Sequence, residues 1–232
     1  MIKIEHIETF GWGAAIRGMR NPMNSWDKSD SGICYKEVNC TTCQSDKDNK
    51  DVCVANMKNN KFVIGFNDFD LMKRLAKTGT DHRKYLRMIT VYCDITAPLY
   101  WWKEMDTYKI GTVANSCSTM HKIQSKRFTR DDFSIEHLHN CDESHWMVCM
   151  DNVIASLNVA RNYYLDTKDK KYWWQMIQLL PSSYNQKRTI MMNYEVLSNI
   201  YKSRKGHKLD EWHTFLDWIE KLPYSELITK AN

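Results

Sequence analysis

The stretch Leu86–Lys109, LRMITVYCDITAPLYWWKEMDTYK, sets a strand directly against a helix. Leu86–Ile95 is rich in β-branched and aromatic side chains, which suit a central strand. Thr96-Ala97-Pro98 ends it. Pro98 fits the first turn of a helix, where its missing N–H is no loss. In the following segment Leu99, Trp102, Met105 and Tyr108 or Lys109 recur at helical spacing.

Toward the N-terminus, Met1–Phe10 alternates apolar and polar residues and predicts a half-buried strand. Ala14–Met19 predicts a short helix ended by Asn21-Pro22. Arg17 and Arg20 are candidates for a phosphate contact, with plain helix-surface charge as the equal alternative. Lys61–Gly65 reads as a short strand. Phe66–Lys77 reads as a helix with Asn67 or Asp68 as N-cap and Gly79 past its end.

Toward the C-terminus, the small residues of Ile110–His121 predict a loop whose backbone N–H groups can approach a phosphate. It lacks the glycine and lysine spacing of a P-loop. His121–Asn140 reads as loop-rich. Trp146–Leu165 and Tyr172–Leu180 predict helices, the second stopped by Pro181. Arg188–Asn193 predicts a strand leading into a helix over Asn193–Arg204, NYEVLSNIYKSR. Leu197 and Ile200 give that helix an apolar side. Asn193, Asn199 and Arg204 suit a planar, negatively charged ligand, against the alternative of an ordinary polar surface. Leu209–Leu222 is a further amphipathic helix, and YSELITK is the last. Strands and helices mix without regular βαβ alternation, so the fold class is α+β.

Composition narrows the function. No apolar run approaches the roughly 20 residues that span a bilayer, so no membrane partner is expected. A net charge of +5 suits anions, but no Lys/Arg run marks a nucleic-acid surface. The N-terminus alternates and carries acids, unlike a secretory leader, so a cytoplasmic, reducing location is expected. Eight cysteines are then thiols or metal ligands rather than disulfides. Cys40-x2-Cys43 has ligand spacing, and with Cys34 and Cys53 it makes a set able to hold zinc. The outer spacings are irregular, so free cysteines on an insertion near residues 32–60 are the preferred reading. His137, His139, Cys141 and His145 lack paired zinc spacing and read as surface residues. No metal site is expected.

Several segments, in this order, resemble the flavin-dependent thymidylate synthases. The resemblance covers most of the chain outside the cysteine-bearing segment. Ala15-Ile16-Arg17-Gly18-Met19-Arg20 is similar to that family's early arginine helix. His82, with the strand ending Ala97-Pro98, resembles its histidine loop, strand and Ala-Pro step. Leu180-Pro181, Asn193, Asn199 and Arg204 resemble its Leu-Pro step, two flavin-contacting asparagines and nucleotide-binding arginine. The helix around Trp212 looks like its closing tryptophan-bearing helix. Where the family carries Arg-His-Arg, this chain has Thr107-Tyr108-Lys109. Asn115-Ser116-Cys117-Ser118-Thr119-Met120-His121 stands for Asn-Glu-x-Ser-x-Arg-Tyr and keeps its serine at Ser118. Glu195 stands where an arginine often helps hold the flavin.

The resemblance implies a single domain over residues 1–232, with a mixed or antiparallel sheet packed against helices. It implies methylation of dUMP at C5, with FAD as cofactor, NADPH and methylenetetrahydrofolate as co-substrates, and sites formed between subunits of a homotetramer. Arg204 is then catalytic and substrate-binding. Glu104, Ser116 and Ser118 bind substrate, His82, Tyr108, Lys109, Asn193 and Asn199 bind cofactor, and of these His82, Asn193 and Asn199 face flavin or folate. Lys103, Lys109 and Lys187 are candidates to replace lost cations, and Cys117 has no nucleophilic role. Two alternatives stay open. One is a nucleotide-binding protein of the same fold without flavin chemistry, and the other is a zinc-stabilised nucleic-acid-binding module.

Overall fold

The computed structural model describes residues 2–33, 62–141 and 144–231. Cys34, Cys40, Cys43 and Cys53 lie outside the described residues, and so does the zinc expectation. Strand β1 (Lys3–Phe10) leads into helix α1 (Trp12–Arg20). The two-residue strands β2 (Gly32–Ile33) and β3 (Phe62–Val63) pair with each other ahead of helix α2 (Phe66–Lys77). A 3-10 turn over Lys84–Met88 delivers strand β4 (Thr90–Pro98), followed by helix α3 (Leu99–Met105), strand β5 (Thr112–Ser116) and the single turn α4 (Thr119–Lys122). The small pair β6 (Asn140–Cys141) and β7 (Ser144–His145) precedes helices α5 (Trp146–Thr167) and α6 (Lys170–Leu179). Strand β8 (Asn185–Asn193) then runs into helix α7 (Tyr194–Arg204), with α8 (Asp210–Glu220) and α9 (Glu226–Thr229) closing the chain. The architecture is α+β, as expected.

The main sheet has the order β1-β4-β8-β5, and every neighbouring pair is antiparallel. One face of the two central strands carries Val91, Cys93, Ile95 and Ala97 from β4, and Ile190 and Met192 from β8. All are buried. They pack beneath α1, α2, α3, α7, α8 and α9 as one apolar cluster. Alternate residues face away. There Asp94 accepts a hydrogen bond from Thr189 at 2.6 Å and pairs with Lys187 at 2.9 Å. The tryptophan content is partly explained by the core. The Trp101 ring packs 4.9 Å from both Trp102, edge to face, and Trp212, tilted, beside Phe215, and all four are fully buried. Burying each such side chain contributes about 1.5–3 kcal/mol.

Helices α5 and α6 build a second cluster from Met150, Ile154, Leu157, Ala160 and Met176, closed by Ile123, Phe128 and Phe133. It meets the sheet region where Phe133 bridges Tyr184, just ahead of β8.

Several local expectations change. The strand read from Leu86 starts at Thr90, because Lys84–Met88 closes 3-10 turns first. Pro98 is the last residue of β4 and caps α3 from outside, with extended backbone, instead of sitting in its first turn. The Ile110–His121 loop contains β5, which adds to the edge of β8 from Thr112–Met192 to Ser116–Arg188. Its small polar residues hid a strand that a neighbouring edge stabilises. This ladder uses backbone groups that were expected to be free for phosphate, and the Cys117 N–H donates to the Lys187 carbonyl at 2.9 Å.

The N-cap of α2 is Gly65, not Asn67 or Asp68. The capping oxygens come from Asp30, which accepts from the N–H groups of Asn67 at 2.9 Å and Asp68 at 3.1 Å. Asp68 is wholly buried and pairs with Arg20 Nε at 2.6 Å. Its other oxygen accepts from the Ser29 hydroxyl at 2.7 Å and the N–H groups of Asp30 and Ser31 at 3.1 Å. Arg20 is 3% exposed and also donates to the carbonyls of Ser25 and Lys28. It is a structural staple, which removes it from the phosphate candidates.

Candidate functional site

Helix α7 begins where Asn193 Oδ1 accepts the Val196 N–H at 2.9 Å, satisfying one of the helix's open donors. Leu197 and Ile200, both fully buried, fix its rotation against the core. That rotation sets Arg204, in the last turn, against α3 and α8. Arg204 Nε donates to the Tyr108 hydroxyl at 2.9 Å, and Nη1 donates to Glu104 Oε2 at 2.7 Å. The guanidinium lies 4.6 Å from the Trp212 ring centroid and 5.4 Å from that of Tyr108. Glu104 Oε2 also accepts from Trp212 Nε1 at 2.9 Å and lies 3.2 Å from His207 Nε2. The structure therefore brings Arg204, Glu104 and Tyr108 together in one hydrogen-bonded cluster. Two charged bonds and two aromatic faces hold the arginine fork in one orientation.

The other candidates lie around this cluster or apart from it. His82 is exposed in the turn before Lys84, and Lys109 is exposed after α3. Asn199 faces outward from α7. Neighbouring Arg83 is buried and forms an ion pair with Glu195 at 3.0 Å, tying the His82 turn to the first turn of α7. Asn193 is 8% exposed, and its Nδ2 makes no hydrogen bond among the described residues. Gly111 lies against it with φ +79°, and a Cβ there would stand 2.5 Å from Nδ2.

Gly111→Ala is therefore expected to lower stability by at least about 1 kcal/mol, from the left-handed backbone alone. It should also displace the Asn193 amide. Thermal melting of the variant beside the native chain measures the first effect. A melting temperature equal to native would rule out this placement of Gly111.

Ser116 is exposed at the end of β5, opposite Arg188. Ser118 caps α4, accepting the His121 N–H at 2.9 Å, and lines a cleft of about 460 Å³. Lys122, Ser125, Lys126, Asn185, Gln186 and Lys187 line the same cleft. Lys126 pairs with Asp132 and Lys187 with Asp94, while Lys122 has no ion pair among the described residues. Gln186 joins the cleft to α3. It donates to the Cys117 carbonyl at 2.8 Å and accepts from Arg188 Nε at 3.0 Å, and Arg188 stacks 4.2 Å from the Trp102 ring.

No protein-family model matches the sequence, and no curated protein does. Solved structures match, among them two that do so over almost the whole chain. Both are of the flavin-dependent thymidylate synthase ThyX from Helicobacter pylori with FAD and dUMP. The first has a TM-score of 0.63 at 13% identity, covering 98% of this chain and 97% of that one. The second has a TM-score of 0.62 at 12% identity, covering 99% and 97%. The chain has the fold of the flavin-dependent thymidylate synthases.

Within this thymidylate-synthase fold, two residues of the cluster escaped the sequence reading as ligands of Glu104. His207 follows Arg204 by three residues, and Gly206, with φ +77°, turns the chain back toward it. A histidine just past a glycine at the end of a helix was the available signal. Trp212 was noted only as a helix marker. Arg83 was missed entirely. Its signal was the acid at Glu195 beside Val196, Leu197 and Ser198, since an acid on a buried helix start requires a cation.

Proposed function

We propose that this protein is a flavin-dependent enzyme that methylates dUMP at C5, working as a homotetramer with NADPH and methylenetetrahydrofolate as co-substrates. The observation that carries the reading is the Arg204 cluster, placed on this fold by residues from α3, α7 and α8. The guanidinium keeps Nη2 free of hydrogen bonds among the described residues. This donor can meet a pyrimidine carbonyl and stabilise charge that develops on the ring as C5 becomes nucleophilic. The Tyr108 and Trp212 rings hold it there and exclude water from its faces.

The residues around Asn193 suit FAD. Asn193 offers an uncommitted Nδ2, Gly111 leaves that amide space, and His82, Lys109 and Asn199 present side chains with no hydrogen bond among the described residues. Bound FAD would supply the hydride. Tyr108 is committed to Arg204, so in this reading it positions the arginine, and Lys109 is the remaining cation of its segment. Glu195 neutralises Arg83. In the Ser118 cleft, which Asp131 and Asp132 also line, Lys122 with Ser118 and Ser125 suits the nucleotide phosphate. The cleft is offered to a site shared with a neighbouring subunit. Among the described residues no helix is long and apolar enough to cross a membrane.

The test is to titrate FAD and dUMP together and then follow tritium release from C5-labelled dUMP with NADPH and methylenetetrahydrofolate. FAD-dependent release is expected. Binding of dUMP with no release at any FAD concentration would select a nucleotide-binding protein without flavin chemistry.

A further inference from the structure

Glu104 is used unevenly. Two hydrogen bonds converge on Oε2, from Arg204 Nη1 and Trp212 Nε1, and His207 Nε2 lies 3.2 Å from the same atom. The indole and the guanidinium can only donate. His207 Nδ1 accepts the Leu209 N–H at 3.2 Å, which places the imidazole proton on Nε2. Oε2 is therefore already engaged by two donors, with the His207 N–H close by. Oε1 receives no hydrogen bond among the described residues, on a side chain 33% exposed. Two groups of the Nη1–Oε2 pair are left uncommitted among the described residues, the acceptor Oε1 and the donor Arg204 Nη2, and a ligand reaching this edge can use both. Its complement is an N–H next to a carbonyl.

Building on the nucleotide reading above, we infer that Glu104 determines which pyrimidine is accepted. Oε1 takes the N3–H of uracil while Arg204 takes the adjacent carbonyl. Cytosine presents a lone pair at N3, which faces the carboxylate unfavourably. An N3-methyl group removes the donor and adds bulk. Either base leaves a charged acceptor unpaired as it loses water, and sites built around a donor discriminate strongly on that ground.

Substituting Glu104→Gln sharpens the inference. The Arg204 and Trp212 donors would hold the amide oxygen at the Oε2 position, so the NH2 would stand where Oε1 was. The site would then offer two donors to N3–H. The experiment is calorimetric titration of the full chain, with FAD present, using dUMP, N3-methyl-dUMP and dCMP, for the native protein and E104Q. The native protein should bind dUMP at least tenfold more tightly than either analogue. E104Q should lose at least tenfold for dUMP and lose its preference over dCMP, while circular dichroism and melting show a native fold. Equal native affinity for dUMP and N3-methyl-dUMP, or an unchanged preference in E104Q, overturns the inference and leaves the nucleotide reading standing. No dUMP binding by the native protein overturns both.

Discussion

Arg204→Ala is expected to weaken dUMP binding about a hundredfold or more, an effect of about 3 kcal/mol. The change removes the free donor at Nη2 and leaves Glu104 without its strongest partner. Glu104 still holds Trp212 and His207, and α7 is still anchored by Leu197 and Ile200. The variant should therefore fold, with a modest fall in melting temperature. Arg204→Lys separates charge from shape. An ammonium keeps the positive charge but cannot bond Tyr108, Glu104 and a base from one rigid plane. It should recover only part of the lost affinity. Calorimetry with dUMP reads both variants. Native affinity in a folded Arg204→Ala protein would remove Arg204 from the site.

The second large effect is on stability. Asp68→Ala should destabilise the protein by about 3–5 kcal/mol, because it leaves the buried Arg20 guanidinium uncompensated. It also deprives the Ser29 hydroxyl and two backbone N–H groups of their acceptor. For a chain of this size each kcal/mol shifts the melting temperature by about 2–4 °C. The pH dependence follows from the sign of the shift. Burial works to raise the Asp68 pKa, but hydrogen bonds from Ser31, Ser29 and Arg20, with the Arg20 charge, hold it below the usual carboxylate value. A lowered folded value gives stability that is fully present above the unfolded pKa of about 3.9, and that is lost as pH falls through the folded value. The gap between native and variant proteins in urea denaturation should be constant near neutrality and shrink in acid below about pH 4. A constant gap down to the acid limit would refute the assignment.

The sequence disclosed those features whose cause is local. The α7 helix was legible because Leu197 and Ile200 mark its inner face, although its cap at Asn193 was read as part of the helix. The inner face of β4 was legible from Val91, Cys93 and Ile95. Residues Glu104, Tyr108 and Arg204 were selected through a family resemblance, and the structure shows Arg204 hydrogen-bonded to both of the others. What stayed hidden depends on partners distant along the chain. β5 is a strand because β8 offers it an edge, and its own residues look like a loop. Arg20 and Asp68 are 48 residues apart, and nothing near either one announces the pair. Arg83 and Glu195 are 112 residues apart, and the buried acid called for a cation without showing which one. The Ser118 cleft is assembled from α4 and the start of β8, and its lysines showed no pattern as a run.

The position of β8 in the sheet has a consequence for how the chain reaches its native state. Its partners on β4 are about a hundred residues earlier, and such non-local pairing slows folding. During synthesis β1 and β4 can pair early, but β5 has no neighbour to join until β8 arrives. Until then β4 keeps an open edge, the kind of surface on which chains misassociate. Folding yield should therefore fall with rising protein concentration more steeply for chains truncated before Asn185 than for chains that include Asn193.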